Sequence, residues 1–156
     1  MEKATFGAGC FWGVEVAFNQ LPGVAETTAG FEGGTLENPT YKEVCTDRTG
    51  HAEVVQVMFD PAKISYSQLL DAFFSLHDPT QLNRPGPDRG TQYRSMVFFH
   101  SPEQQQAALA TIERLTQKKV FPKPIVTQVV PAQTFWPAEE HHQKYLEKRG
   151  MTSCHV

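Results

Sequence analysis

The chain has 156 residues and a formal net charge of −3. This length predicts a single domain, covering residues 1–156, that buries a core without disulfides or metals. The slight negative charge argues against a surface for nucleic acids or anionic membranes, and no apolar stretch reaches the roughly 20 residues that a membrane span needs.

Strands and helices alternate along most of the chain. Strand-like patterns cover residues 3–7, 25–31, 52–59, 94–99 and 125–130. Helix-like patterns cover residues 14–19, 65–77, 102–119 and 138–148, with a short helix at residues 41–45. A capping box from Ser101 to Gln104, with Pro102 in the first turn, is predicted at the start of the helix over residues 102–119. Helices interleaved with strands favour an α/β or α+β domain with helices packed on a central sheet.

Two long stretches, residues 32–40 and 78–90, lack any regular pattern. Loops of this length inside a compact domain are usually functional or disordered. Each leads to a tyrosine, Tyr41 after the first and Tyr93 after the second. We therefore expect the two stretches to form walls of a single pocket. The alternative is that both tyrosines are core residues.

Cys10 lies at a predicted strand-to-helix junction, within the run GCFWG at residues 9–13. The partial positive charge and free N–H groups of a helix N-terminus lower the pKa of a thiol, so thiolate is available near neutral pH. Phe11 and Trp12 offer an apolar wall beside it. The alternative is a buried structural cysteine, since free cysteine is among the most buried residue types.

Glu53 is the carboxylate that the pattern singles out. The period of two along a strand places it on the same face as Val55, Val57 and Phe59. On that apolar face we expect a partly desolvated side chain with a raised pKa and a proton to donate. The alternative is a strand-end carboxylate turned to solvent. Asp88 lies five residues before Tyr93 in the second irregular stretch, where aspartates commonly cap turns.

The two remaining cysteines differ in their surroundings. Cys45 is expected to pack within its short helix. Cys154 follows the helix-ending Gly150 in a polar terminal tail, which is expected to be mobile from about residue 149. Such a cysteine has the character of a resolving thiol for a reactive Cys10. The alternative is a tail cysteine without a role. Three cysteines are too few for a disulfide scaffold, and a strand right at the N-terminus leaves no signal peptide, so a cytoplasmic location is expected.

No metal site or nucleotide site is predicted. The run EEHHQ at residues 139–143 lacks the His-Glu-x-x-His signature, and adjacent histidines point apart on a helix. We therefore expect His141 and His142 to lie on a solvated helix face. The run Gly7-Ala8-Gly9 lacks the third glycine of a dinucleotide-binding loop.

Four separated motifs, taken together, resemble the peptide-methionine (S)-S-oxide reductase family, or MsrA family. They are GCFWG at residues 9–13, GHAEVVQV at 50–57, GTQYRS at 90–95 and AEEHHQ at 138–143. The resemblance covers nearly the whole chain in the family's order. It implies a monomeric α/β sandwich of ferredoxin-like type with long irregular loops. It also implies reduction of the S epimer of methionine sulfoxide, free or in oxidised proteins.

The resemblance further implies a role for each candidate residue. Cys10 would be the nucleophile, and Phe11 and Trp12 would hold the methyl group of the substrate. The sulfoxide oxygen would be bound and protonated by Glu53, Tyr41 and Tyr93. Asp88 would support the polar side of the pocket. Cys10 would become a sulfenic acid and condense with Cys154, and a thioredoxin-like dithiol would reduce the disulfide. No metal or organic cofactor is implied.

Two other classes of function are compatible with a reactive cysteine beside an aromatic wall. A cysteine hydrolase would need a histidine held against Cys10, and the sequence selects none of its six histidines. A non-catalytic redox sensor or a binding module for apolar ligands would use the same wall without chemistry. Release of methionine from methionine sulfoxide in the presence of dithiothreitol separates the reductase from both.

Overall fold

A central mixed sheet organises the fold in the computed structural model, which describes residues 1–9, 11–46, 49–81 and 91–144. The strands are β1 (Glu2–Ala8), β2 (Val24–Glu32), β3 (Ala52–Phe59), β4 (Ser95–Phe99), β5 (Gln128–Pro131) and β6 (Trp136–Pro137). The helices are α1 (Phe11–Asn19), α2 (Tyr41–Cys45), α3 (Tyr66–Ser75) and α4 (Pro102–Gln117), with 3₁₀ turns at Thr91–Tyr93 and Glu140–His142. Cys10, Asp88 and Cys154 lie outside the described residues.

The strand order is β5-β4-β1-β3-β2-β6. The four central strands pair antiparallel with one another, so β1-α1-β2 and β3-α3-β4 each join parallel strands with one strand between them. These two interlocked split βαβ units are the ferredoxin-like arrangement, which confirms the predicted fold class. β5 joins β4 in parallel and makes the sheet mixed.

The two faces of the sheet bury different apolar clusters. On the helix side, Phe6 of β1 and Val55 of β3 are register partners within the main core, and α1 and α3 cover them. A smaller cluster on the opposite side contains Val54 and Phe98, with Phe135 from the chain after α4 packed against it. Because both faces are covered, residues of β3 are buried at nearly every position.

Side-chain caps fix the starts of α3 and α4. Ser65 and Gln68 form a complete capping box at α3. At α4 the Ser101 side chain accepts a hydrogen bond from the Gln104 backbone, as predicted. The Gln104 side chain, however, accepts from the backbone N–H of His100 instead of Ser101 and donates to the carbonyl of Lys3. Gln104 therefore ties α4 to β1 as well as capping it.

The predicted helix over residues 138–148 is wrong within the described part of the chain. β6 is followed by the 3₁₀ turn Glu140–His142, and Gln143 leaves that turn in an extended conformation. The Gln143 amide accepts a hydrogen bond from the backbone N–H of Ala29 and donates one to the Ala29 carbonyl, both at 2.8 Å. The turn is thereby held at the edge of β2, which a continuous helix would not allow.

Within the described residues, the structure contains no helix that is both long enough and apolar enough to cross a lipid bilayer.

Candidate active site

Glu53 lies at the second position of β3 and has no exposed surface. Its Oε1 accepts a hydrogen bond from the backbone N–H of Phe11 at 3.3 Å, and its Oε2 accepts one from Nε2 of Gln92 at 3.1 Å. The prediction that Glu53 is turned away from solvent is confirmed. Because Phe11 directly follows Cys10 in the chain, the carboxyl group is bonded to the backbone next to the candidate nucleophile.

Gln92 is a residue that the sequence analysis did not single out. It lies in the 3₁₀ turn Thr91–Tyr93 and is 4% exposed. Its side-chain nitrogen donates both to Glu53 and, at 3.4 Å, to the Sγ of Cys45. The only available signal was its place beside Tyr93 in the motif GTQYRS, and that motif alone does not say which side chain faces the carboxyl group.

Cys45 is exposed, so the prediction that it packs within its helix is wrong. α2 has only five residues and buries only Val44 among them. A helix of five residues turns only Val44 towards the core, and Cys45, the next residue, lies at the edge of the buried surface. There the Cys45 thiol contacts Gln92 and hydrogen-bonds with Tyr41.

Tyr41 and Tyr93 are both half-buried, and Tyr41 lies close to Tyr93 and to Glu53. Burial raises the pKa of the Tyr41 phenol above its usual value, and the neighbouring Glu53 and Tyr93 raise it further. Tyr41 therefore keeps its proton and remains a hydrogen-bond donor across the neutral range. The two irregular stretches thus deliver their tyrosines to one place, as expected.

Four rings form the apolar side of the site. The ring of Tyr41 stacks on Trp12 at 5.7 Å and lies 4.4 Å from the ring of His142, measured between centroids. Phe11 lies 6.0 Å from Tyr41 and has no exposed surface, whereas Trp12 is half-buried. Trp12 therefore presents an accessible apolar face, and Phe11 fixes the rings from behind.

His142 belongs to this ring cluster, so its predicted place on a solvated helix face is wrong. It is 5% exposed, and its Nδ1 accepts a hydrogen bond from the indole N–H of Trp12 at 3.2 Å. The prediction assumed a helix on the surface, whereas this segment forms a 3₁₀ turn packed against Trp12 and Tyr41, in which the rings of His141 and His142 lie 4.0 Å apart. Glu139, His141 and His142 also converge here, and each offers a potential ligand atom within 4.8 Å of the others.

His51 anchors the first irregular stretch, which leads to Tyr41. Its Nδ1 accepts from the backbone N–H of Gly34 at 3.0 Å, and its Nε2 donates to the carbonyl of Leu36 at 2.7 Å. A Cβ at Gly34 would collide with the backbone of Thr49 and His51. Only glycine permits this close approach, which fixes the loop against β3.

The remaining predicted site residues, Cys10, Asp88 and Cys154, fall outside the described residues. The chain segments that flank Cys10 are described: β1 ends at Ala8 and α1 begins at Phe11. The predicted strand-to-helix junction is therefore present around that position in the sequence.

Known proteins resemble this chain over its whole length. The family model described as peptide methionine sulfoxide reductase matches residues 2–156. A peptide methionine sulfoxide reductase MsrA of Acidobacterium capsulatum is 69% identical over 156 residues, covering 100% of both chains. The structure of methionine sulfoxide reductase A of Corynebacterium diphtheriae has a TM-score of 0.86 at 38% identity, covering 98% of this chain and 77% of that one.

A structure of Mxr1 from Saccharomyces cerevisiae in complex with Trx2 has a TM-score of 0.63 at 25% identity, covering 92% of this chain and 84% of that one. These similarities agree with the site, in which a buried carboxyl group and an aromatic wall meet beside a strand-to-helix junction. The chain belongs to the peptide methionine sulfoxide reductase family and is an oxidoreductase that acts on methionine sulfoxide.

Proposed function

We propose that the chain reduces the S epimer of methionine sulfoxide, free or within oxidised proteins, with Cys10 as the nucleophile. One observation carries this proposal. The buried carboxyl group of Glu53 is hydrogen-bonded to the backbone N–H of Phe11, the residue directly after Cys10. We infer that this acid and the Cys10 thiol act on the two ends of one S–O bond.

The reaction needs a proton on the oxygen and an electron pair on the sulfur. A sulfoxide is a weak electrophile until its oxygen is protonated, so a thiolate must face a neutral acid. Glu53 supplies that proton, and the phenols of Tyr41 and Tyr93 hydrogen-bond to the same oxygen. The oxygen is transferred to the Cys10 sulfur as a sulfenic acid, and methionine leaves with both electrons on its sulfur. Asp88 supports the polar side of the pocket.

Substrate binding uses the aromatic wall. Trp12 offers the accessible face for the methyl group, and Phe11 supports that face from the core. Gln92 positions Glu53 through the hydrogen bond to its Oε2. An apolar pocket with a cluster of polar groups at one end matches a substrate that carries a methyl group and an oxygen on the same sulfur.

Recycling proceeds through the C-terminal tail. The Cys154 thiol condenses with the Cys10 sulfenic acid, which releases water and forms a disulfide. A thioredoxin-like dithiol then reduces that disulfide by exchange. The yeast relative Mxr1 in complex with Trx2 supports a partner of this class. We propose a monomeric cytoplasmic enzyme that needs no metal or organic cofactor.

The separated epimers of free methionine sulfoxide test the proposal. Each epimer is incubated with the protein and dithiothreitol, and released methionine is measured by chromatography. We expect methionine from the S epimer only, and none from Cys10→Ser. A cysteine hydrolase or a binding module would release none from either epimer. Equal turnover of the R epimer would contradict the proposed stereochemistry.

A further inference from the structure

The 3₁₀ turn at Glu140–His142 brings together three potential metal ligands that the reduction does not require as a set. One ring nitrogen of His141, one ring nitrogen of His142 and one carboxylate oxygen of Glu139 all lie within 4.8 Å of one another. We propose that these three residues form a site for a divalent transition metal such as Zn²⁺, and that metal binding displaces the hydrogen bond between Trp12 and His142. This inference goes beyond the reductase activity.

The donor set suits zinc. Two imidazoles and one carboxylate are the ligands of zinc sites that keep a fourth position for water. In a tetrahedral site with bonds of about 2.0–2.2 Å, neighbouring ligand atoms are about 3.4 Å apart. Nε2 of His142 and Oε2 of Glu139 are 3.9 Å apart, so a small movement suffices. His141 is exposed, which gives the ion access from solvent.

A hydrogen bond from the backbone already orients the carboxylate of Glu139. The Oε1 of Glu139 accepts a hydrogen bond from the backbone N–H of Tyr41 at 2.9 Å, which leaves Oε2 directed towards His142. Hydrogen bonds to a ligand from the surrounding structure fix its orientation and typically contribute tenfold or more to metal affinity. The site therefore has three donors and an outer contact that fixes one of them.

The indole of Trp12 competes with the metal for His142. An indole N–H only donates, so Nδ1 of His142 must accept and the neutral ring carries its proton on Nε2. A metal bound at Nε2 moves that proton to Nδ1, and two N–H groups then face each other. The hydrogen bond to Trp12 is lost, so metal binding and the resting position of Trp12 exclude each other.

Zinc binding by calorimetry tests the ligand set. Because thiolates also bind zinc, the full-length chain is used with Cys10, Cys45 and Cys154 replaced by serine. In that background we expect His141→Ala to weaken Zn²⁺ binding at least about tenfold. The exposed His100, which lies outside the turn, is the matched control, and His100→Ala should leave the affinity unchanged. Equal affinity in both variants would overturn the site.

A second variant tests the competition. Trp12→Phe keeps an aromatic ring but removes the indole N–H, so Nδ1 of His142 no longer has to accept a hydrogen bond from Trp12 when the metal binds. We expect Zn²⁺ to bind about tenfold more tightly. An unchanged or weaker affinity would show that the metal does not compete with Trp12. If the triple serine variant does not fold, the same comparisons of zinc affinity are made in the reduced natural chain. Zinc binding by the thiolates is then common to all variants, so a difference between them still reports on the turn.

The consequence for the reductase is measurable in a first turnover without added reductant. Zn²⁺ should slow methionine release by the natural chain more than by His141→Ala, and the two proteins should react at similar rates without metal. Equal slowing of both would assign inhibition to the thiols and contradict a role for the turn.

Discussion

At the scale of single residues, the site is organised around one carboxyl group. Both oxygens of Glu53 accept hydrogen bonds, from Phe11 and from Gln92, and the side chain is fully buried. These contacts hold the proposed acid in one orientation beside the start of α1.

Glu53→Gln removes the transferable proton and keeps a side chain of similar size. We expect the first turnover to slow by about 10²–10⁴-fold, the usual contribution of a general acid. The rate is measured by rapid quench with the S epimer. Glu26→Gln, an exposed carboxylate on β2, is the matched control and should react like the natural chain. A rate within about threefold of the natural chain would show that Glu53 is not the acid.

Gln92→Ala removes one N–H donor to the carboxyl group of Glu53. The carboxylate form then loses a hydrogen bond, so the fall in rate at alkaline pH should move to higher pH. The pH profile of the first turnover measures this shift. Cys45→Ala removes the second acceptor of the same amide and a hydrogen bond with Tyr41, but neither of the hydrogen bonds from Phe11 and Gln92 to Glu53, and should not move the profile. An unshifted profile for Gln92→Ala would limit Gln92 to a structural role.

At the scale of elements, side chains rather than regular structure hold the segment after β6. Gln143 pairs with both backbone groups of Ala29, and Glu15 of α1 accepts a hydrogen bond from the backbone N–H of Lys144 at 2.6 Å. Lys144 itself has a left-handed backbone, with φ of 51°. These contacts place His142 in the ring cluster. The apolar side of the site, which the rings form, therefore depends on α1, β2 and this turn together.

The end of β2 contains a second buried carboxyl group, on the face of the sheet away from the helices. Oε2 of Glu32 accepts a hydrogen bond from the backbone N–H of Gln133 at 2.9 Å, and Oε1 has no partner among the described residues. Burial raises the pKa of Glu32 to about 7, against the lowering effects of the Gln133 hydrogen bond and of the charge on Lys3. Glu32 is therefore expected to titrate in the neutral range.

This titration predicts a pH dependence of stability. Between the ordinary value of 4.5 and the folded value of about 7, the folded chain binds more protons at Glu32 than the unfolded chain does. The free energy of unfolding should therefore fall as pH rises through this interval, by at most about 3 kcal/mol, and stay level above it. Glu32→Gln should abolish that contribution. Urea unfolding at several pH values measures the difference, and parallel curves for the two proteins would refute it.

At the scale of the whole molecule, the sequence predicted the sheet well because alternation and capping are local signals. The five predicted strands are all present, and the period of two placed Glu53 on the buried face. β6, which has two residues, carries no such signal. The turn at His142 was missed because contacts distant in sequence, from Gln143 to Ala29, override the helical pattern.

The sequence predicted which polar side chains come together in the site, but it did not predict the residues that hold them in place. Glu53, Tyr41 and Tyr93 come together as expected. Gln92 and His142 could not be inferred, because hydrogen bonds to Glu53 and to Trp12 depend on loop geometry. The expectation for Cys45 failed for a related reason, since burial in a helix of five residues depends on what packs against it.

Cys154→Ser separates the chemical step from recycling. The first turnover should remain fast, because the proposed chemical step uses Cys10 and Glu53 and not Cys154. Turnover with thioredoxin should collapse, since no disulfide forms for its dithiol to attack. Dithiothreitol should restore part of the turnover by reaching the sulfenic acid directly. Normal cycling of Cys154→Ser with thioredoxin would indicate that the tail is not the resolving element.

The central claim is that Cys10 takes the oxygen of the sulfoxide. The most direct test counts methionine in a single turnover, with reduced protein, excess S epimer and no added reductant. We predict one methionine per chain for the natural protein and none for Cys10→Ser, with circular dichroism confirming that the variant is folded. Methionine release by a folded Cys10→Ser variant would contradict the account and would make Cys45 the next candidate.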